Sequence, residues 1–350
     1  MGKKPVGIYK ILRKVEFFLL VLISLSLYFF FGKDTQETRD PVDSSSEKID
    51  IQDFDSGKYS VVFDKKVHGI MRKMISEAKR SIYISTYTIR HNELLDLLQK
   101  RSSEGVQVNL AYGLSKDGFI PAFNAGLIKK KYGIFHSKYI VTDSNNVLIT
   151  SRNLGSGKGA MNNAVLYSDV PQTAKILEKE VVDAINGKMP KRCDKGCDAE
   201  IGRVFFTPGK ACVNIKKEFL KAKTKIEGAI YTVTTKNPVI TGLKNSLRKN
   251  KIPVKLVVDK WKGEDGTRVN KRALNYFRSL GAEVKFDNSL LAKDPLFHHK
   301  FAVVDGQVSI LGSLNWTSSG CYKNREIVVI SKDKKIAEKF SEYFTTIWKD

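Results

Sequence analysis

The sequence predicts an α/β fold made twice: two mixed-sheet α/β sandwich halves in one chain, behind an N-terminal transmembrane helix. Three observations predict it. Amphipathic helix signals alternate with β-branched strand signals through most of the chain, the pattern of a mixed α/β sandwich. One constellation of His, Lys, Asp, Ser and Asn occurs twice with the same internal offsets. An uncharged apolar run near the start precedes a stretch too acidic and too poor in apolar residues to build a core. The length of 350 residues suits two domains, or one domain made of two halves.

The apolar run spans Phe17 to Gly32 and follows Lys3, Lys4, Lys10, Arg13 and Lys14. With Val15 it approaches the lower length limit for a helix that crosses a bilayer, and no polar face interrupts it, as a globular helix would require. A cleaved signal peptide is the rival reading, but cleavage wants small residues where Phe29, Phe30 and Phe31 stand. The expectation is an uncleaved single-pass anchor, its basic flank cytoplasmic and the rest of the chain extracytoplasmic. A myristoylation reading of Met1-Gly2 fails at Val6, where Ser or Thr is needed. The expected organisation is a basic N-terminus and anchor over 1–32, an acidic linker over 33–58, a first half over 59–188, a connector over 189–201 and a second half over 202–350.

Charge narrows the partners. The chain holds 60 Lys+Arg against 37 Asp+Glu, a formal charge of +23. Such an excess points to a polyanion, either nucleic acid or an anionic phospholipid surface. Four cysteines are too few for a disulfide scaffold. Cys193 and Cys197 leave open a small disulfide loop, two plain thiols or, less readily without a nearby His, half a metal site. No cluster of Asp, Glu and His has metal-ligand spacing, so no metal and no cofactor are expected.

The repeat begins with Glu77-Ala78-Lys79-Arg80 and a strand over Ser81 to Thr88, matched by Lys221 to Thr224 and a strand over Lys225 to Thr234. Helices over Asn92 to Ser102 and Pro238 to Lys249 follow, then strands over Val106 to Tyr112 and Val254 to Val258. Both copies end in H-x-K-x4-D: His136, Lys138 and Asp143 in the first, His298, Lys300 and Asp305 in the second. Ser151 and Asn153 lie 15 and 17 residues after His136, and Ser313 and Asn315 lie 15 and 17 after His298. In a strand, residues two apart share a face, so each His projects with its Lys. Asp143-Ser144-Asn145-Asn146 and Asp305-Gly306 read as hairpin turns. The returning strands, Val147 to Thr150 and Val308 to Leu311, bring Ser-x-Asn back beside His-x-Lys.

That set suits a phosphodiester. Ammonium and amide donors neutralise the non-bridging oxygens. One imidazole attacks phosphorus while a second protonates the leaving oxygen and then activates water. Each half supplies one imidazole, so the active site is complete only where two halves face each other. Lysine beside histidine on an apolar strand is costly to bury without an anionic partner.

These residues resemble the HKD motif of the phospholipase D superfamily over residues 59–350. The segment FHHKFAVVDGQVSILGSLNWTSSG (Phe297 to Gly320) and the opening strand GRVFFTPG (Gly202 to Gly209) are similar to its small nuclease and mitochondrial phospholipase-D-like branch. The resemblance implies two pseudo-twofold-related halves with both histidines at the seam, in this case within one chain. It implies a phosphohistidine intermediate, with His136 and His298 as nucleophile and general acid. Lys138, Lys300, Asn153 and Asn315 would bind phosphate, Ser151 and Ser313 would support them, and Asp143 and Asp305 would brace the turn. A family carboxylate that orients a catalytic His falls 28 residues after it. Glu326 lies 28 after His298, whereas the same offset from His136 lands on Ala164. The Gly before the second Ser is Thr150 in the first half. The expectation is therefore that Glu326 serves His298 and that His298 is the nucleophile, although two-domain relatives imply His136. His299, His68 and His91 read as structural or surface residues.

The favoured substrate is single-stranded DNA or RNA. Lys129, Lys130 and Lys131 precede His136. Lys260, Lys262, Arg268, Lys271 and Arg272 lie near Trp261 and Tyr276, and basic residues among aromatics suit unstacked bases. The alternative is a phospholipase D or cardiolipin-synthase-like phosphatidyl transferase, suggested by the anchor. A third reading, a catalytically weak binder of nucleic acid or lipid, rests on Ala164.

Overall fold

A computed structural model describes residues 58–349 apart from 130–132, 157–159, 189–191, 261–265 and 288–295, and of 266–269 only the backbone. The expected anchor and nearly all of the linker lie outside the described residues, as do Lys130, Lys131, Trp261, Lys262 and the side chain of Arg268. Among the described residues no helix is long and apolar enough to cross a membrane.

Two mixed sheets form the body, within the compact unit Asp50–Asp350. The first runs β4-β3-β2-β5-β6-β7-β1 and the second β12-β11-β10-β13-β14-β15-β9-β8. Apart from the extra edge strand β8 (Cys197–Ala199), the two orders match place for place. The first sheet comprises β1 (Tyr59–Phe63), β2 (Ser81–Ile89), β3 (Gln107–Ser115), β4 (Asn124–Leu127), β5 (Tyr139–Thr142), β6 (Asn146–Thr150) and β7 (Asn163–Tyr167). The second comprises β9 (Gly202–Phe206), β10 (Ile226–Ile230), β11 (Val254–Val258), β12 (Glu283–Phe286), β13 (Lys300–Val304), β14 (Val308–Gly312) and β15 (Ile327–Ser331). Strands β2, β3 and β4 run parallel, as do β10, β11 and β12, while the remaining pairs are antiparallel.

Helices cover both faces, so the strands are apolar on both sides and nearly continuous in Val, Ile and Leu. In chain order they are α1 (Lys65–Glu77), α2 (Glu93–Ser103), α3 (Pro171–Ile185), α4 (Ala211–Lys221), α5 (Pro238–Arg248), α6 (Gly266–Ser279), α7 (Ser318–Tyr322) and α8 (Lys334–Lys349). Asn92 caps α2 by accepting from the amides of Leu94 and Leu95, and Asn237 caps α5 by accepting from Ile240, with Pro238 first in that helix. One core lies under α1 and α2, and a second under α4, α5 and α6. A third is shared: it joins both sheets through Val141, Val165, Phe301 and Val329 to α3 and α8. This shared core holds the halves as one body and aligns their motif-bearing strand ends.

The expected strand over Lys225 to Thr234 is shorter. It ends at Ile230, and Tyr231 turns out of the sheet beside the site. The cysteines resolve into two disulfides, Cys193–Cys197 and Cys212–Cys321. The second, unforeseen in the sequence, ties α4 to α7 across 109 residues. A cross-link of that span restricts the unfolded chain, so Cys212→Ala with Cys321→Ala is expected to cost about 2–4 kcal/mol in urea unfolding. An unchanged midpoint would refute this stabilising role.

Candidate active site

His136 to Lys138 lie just ahead of β5, which starts at Tyr139, and His298 and His299 lie just ahead of β13, which Lys300 opens. Each segment pairs instead across the seam. Phe135 forms a parallel bridge with Arg325, and Phe297 forms one with Met161. The amide of His136 donates to the Arg325 carbonyl at 2.8 Å, and that of His298 to the Met161 carbonyl at 2.8 Å. Each histidine is thereby laid beside the residue that follows the bridge in the other half. Gly133 permits the approach, since a Cβ there would lie 1.9 Å from the Lys323 carbonyl oxygen.

This exchange corrects the expected role of Glu326. The Nδ1–H of His136, not that of His298, donates to Glu326 Oε2 at 2.6 Å. The same oxygen accepts from Ser313 Oγ at 2.6 Å, and Oε1 accepts from Asn324 Nδ2 at 3.1 Å. His298 Nδ1–H donates to Asn162 Oδ1 at 3.1 Å, and that oxygen also accepts from Ser151 Oγ at 3.2 Å. Asn162 Nδ2 donates to the Ala160 carbonyl at 2.8 Å, which fixes the amide's orientation. Asn162 is thus the counterpart of Glu326, and Ala164 is not: Ala164 lies inside β7, opposite Thr150. Counting from the histidine misses this because the β6–β7 connection is shorter than the β14–β15 one. Counting back from β7 finds it. Either acceptor keeps a proton on Nδ1 and leaves Nε2 as the reactive nitrogen.

Both histidines and both lysines are buried. Lys138 Nζ donates to the His136 carbonyl at 2.7 Å, and Lys300 Nζ to the His298 carbonyl at 2.9 Å. Burial lowers the Lys138 pKa to about 7, partly offset by Glu326, and holds Lys300 well below its usual value, helped by Lys138. Burial takes His136 down to about 4 against the pull of Glu326. His298 sits well below the ordinary range through burial, then the Lys300 and Lys138 charges. His136 also acts on His298, so the two rings share one electrostatic environment. Burial pushes Glu326 up, but His136, Lys138 and Ser313 outweigh it and keep the carboxylate ionised. Burial thus disfavours the charged form of both lysines, and an anion between them would offset that penalty.

Asn153 and Asn315 follow their serines into the same region, and their Oδ1 atoms are buried without a hydrogen-bond partner. Ser151 and Ser313 hold the site from behind, donating to Asn162 and Glu326 and accepting from the amides of Asn163 and Ile327, both at 3.0 Å. Asp143 and Asp305 stand at the far ends of β5 and β13. Each accepts three backbone amides at a helix–strand corner: Lys79, Arg80 and Ser81 for Asp143, and Lys223, Thr224 and Lys225 for Asp305. They brace the starts of β2 and β10 as well as their own turns.

Sequence reasoning passed over four further groups. Tyr87 lies 5.3 Å from the His136 ring and Tyr231 lies 4.9 Å from the His298 ring. Their signal was a Tyr-Thr pair at the end of the same strand in each repeat. Asn163 Oδ1 accepts the Lys300 amide at 2.9 Å. Arg325 donates to Glu180 at 2.7 Å and to Asp194 at 2.9 Å, beside the Cys193–Cys197 loop. His299 is fully buried against Tyr343 and Asp64, His91 pairs with Asp96, and His68 pairs with Glu93 and meets Arg152 Nη2, between Ser151 and Asn153, at 3.3 Å. Among the described residues no group of three or more His, Cys, Asp or Glu could hold a metal ion.

Two α/β halves that exchange short bridges and bring two His-Lys-Asn sets to one seam define a duplicated protein. The family described as "Cardiolipin synthase, PLD-like domain" matches residues 71–182 and 215–348, more than half of the chain. The chain belongs to the phospholipase D superfamily. It is 28% identical over 165 residues to mitochondrial cardiolipin hydrolase of Canis lupus familiaris, covering 47% of this chain and 59% of that protein. The chain therefore spans less than two thirds of that relative. A solved phosphatidylserine synthase from Haemophilus influenzae shares the fold, with a TM-score of 0.64 at 11% identity, over 84% of this chain and 86% of its own. Nuc from Salmonella typhimurium is 31% identical over 42% of this chain and 92% of its own, with a TM-score of 0.37.

Proposed function

We propose that the chain cleaves phosphodiesters through a phosphohistidine on His136, with His298 as general acid and then general base. The Glu326–His136 bond carries this assignment. When His136 Nε2 bonds to phosphorus the ring becomes cationic, and a buried carboxylate on Nδ1 stabilises that cation far better than a neutral amide does. His298, held by the Asn162 amide, gives up a proton more readily, as a donor to the leaving oxygen should. It then takes a proton from the water that breaks the P–N bond. Lys138, Lys300, Asn153 and Asn315 hold the non-bridging oxygens. The weak-binder reading rested on a histidine left without an acceptor, and the Asn162 amide supplies one to His298.

Single-stranded nucleic acid remains the favoured substrate, on the charge of +23. Cardiolipin-type phospholipid is the second reading, favoured by the likeness to mitochondrial cardiolipin hydrolase. Two disulfides with no free cysteine support an oxidising compartment, consistent with an extracytoplasmic body behind the apolar N-terminal run. The deciding test is a parallel assay of the full chain in EDTA on single-stranded DNA, RNA and cardiolipin vesicles. Cleavage of the nucleic acids alone supports the first reading, and release of phosphatidic acid alone supports the second. Failure to cleave any of them, or bis-p-nitrophenyl phosphate, refutes the enzyme.

The pKa directions set a pH profile. Lys138 and Lys300 must be charged to bind phosphate and His298 must carry a proton to donate, and burial lowers all three, so kcat/KM is expected to fall with rising pH from no higher than about 7. His136 must be neutral to attack, so the acid limb is expected near pH 4 instead of the usual imidazole range. An acid limb at an ordinary histidine pKa would contradict this electrostatic account.

A further inference from the structure

We propose that the loop between β3 and β4 docks the active-site edge of the molecule on an anionic lipid surface. The proposal rests on the phosphodiesterase reading only in locating that edge. In the second half, α6 lies between β11 and β12. In the first half the corresponding connection is the short helix-free segment Lys116 to Phe123, and it carries Ile120 outward. Ile120 is 83% exposed, and Leu114 and Leu127 beside it are 40% and 49% exposed. Leu127 pairs with Tyr112, so Leu114, two residues further along β3, shares its face.

The loop is held in shape. Asp117 accepts from the amides of His91 at 2.6 Å and Phe119 at 3.1 Å, and Ser115 Oγ donates to the Phe119 carbonyl at 3.0 Å. Phe119 stacks on His91 and packs with Phe123 against the core under α1 and α2. Ile120 is therefore presented on an anchored base. The loop's take-off adjoins the site: a Cβ on Gly113 would lie 2.7 Å from the Phe135 carbonyl oxygen and 2.8 Å from the Tyr87 ring. Exposed Lys116 and Lys129 flank the apolar tip.

The chemistry selects a bilayer. Nucleic acid would want exposed aromatic rings to stack on, and here the aromatics are turned inward. A stable protein interface needs roughly 800 Å² per partner, well beyond Ile120 on the loop and Leu114 and Leu127 on its flanking strands. A bilayer accepts a small aliphatic wedge with lysines at headgroup level, and anionic lipid adds attraction for each lysine.

The test is made on the full chain reconstituted with vesicles. Ile120→Trp, and separately Leu127→Trp, is compared with wild type, and Leu220→Trp on α4 serves as control. With phosphatidylglycerol vesicles bearing brominated acyl chains, the new fluorescence of the Ile120→Trp and Leu127→Trp variants should shift to shorter wavelength and be quenched, less so with phosphatidylcholine alone. Leu220→Trp should show neither effect. Hydrolysis of bis-p-nitrophenyl phosphate by the same preparations reports the active site independently. Unquenched fluorescence of Ile120→Trp and Leu127→Trp in an active preparation would overturn the docking proposal, as would equal quenching of all three variants. Inactivity of the wild type would instead count against the phosphodiesterase reading.

Discussion

His298→Asn is expected to form a phosphoenzyme and stall, whereas His136→Asn forms none, and both lose at least about 10⁴-fold in kcat. The asymmetry follows from the acceptors on the two rings. With bis-p-nitrophenyl phosphate the leaving group needs little protonation, so His136 can still attack when His298 is gone. The resulting adduct then persists, because no imidazole remains to activate water. The measurement is a rapid-mixing burst of p-nitrophenol together with acid-labile phosphate on the protein. A burst in His136→Asn and none in His298→Asn would reverse the roles. Glu326→Gln refines the test. It keeps the hydrogen bond to His136 but removes the charge, and should cost roughly 10²-fold, with the burst rate falling more than the slow step.

Arg325→Ala should cost about 3–5 kcal/mol of folding stability, the largest loss expected from any one side chain at the seam. Its guanidinium is buried, donates to Glu180 and Asp194, and lies 4.7 Å over the Phe206 ring. Glu180 on α3 belongs to the first half and Phe206 to the second, so one cation ties the two together. Burial already pushes the Glu180 pKa up despite Arg325, and removing the arginine leaves that carboxyl buried with no cation. Arg325→Met combined with Glu180→Gln should recover a large part of the loss, since neither member then leaves an uncompensated charge. Urea unfolding monitored by circular dichroism measures both. A single-variant loss under about 1 kcal/mol would mean that the pair is solvent-relaxed.

Much of this protein is written in local pattern. The period-two strands, the Asp-Gly turn at Asp305 and the Pro-led start of α5 follow from short-range sterics and hydrogen bonding, so they are legible residue by residue. The paired H-x-K-x4-D and Ser-x-Asn offsets are legible for the same reason: a hairpin of set length returns a serine beside a histidine whatever else the chain does. Where the reading failed, the cause was non-local. Glu326 was given to the nearer histidine in the same repeat, and Ala164 was taken for its counterpart, because an offset assumes equal connections. The Cys212–Cys321 disulfide left no trace either, since its partners meet only through the packing of α4 and α7.

The sequence by itself determined that two α/β halves exist, that each carries an imidazole, an ammonium and a carboxamide, and that a strongly basic chain awaits an anion. Only the tertiary structure decided which acceptor faces which ring. Each histidine is seated by a bridge to the other half, Phe135 with Arg325 and Phe297 with Met161. A contact between segments so far apart in the chain is set by the shared core that aligns two sheets, and no local spacing encodes it.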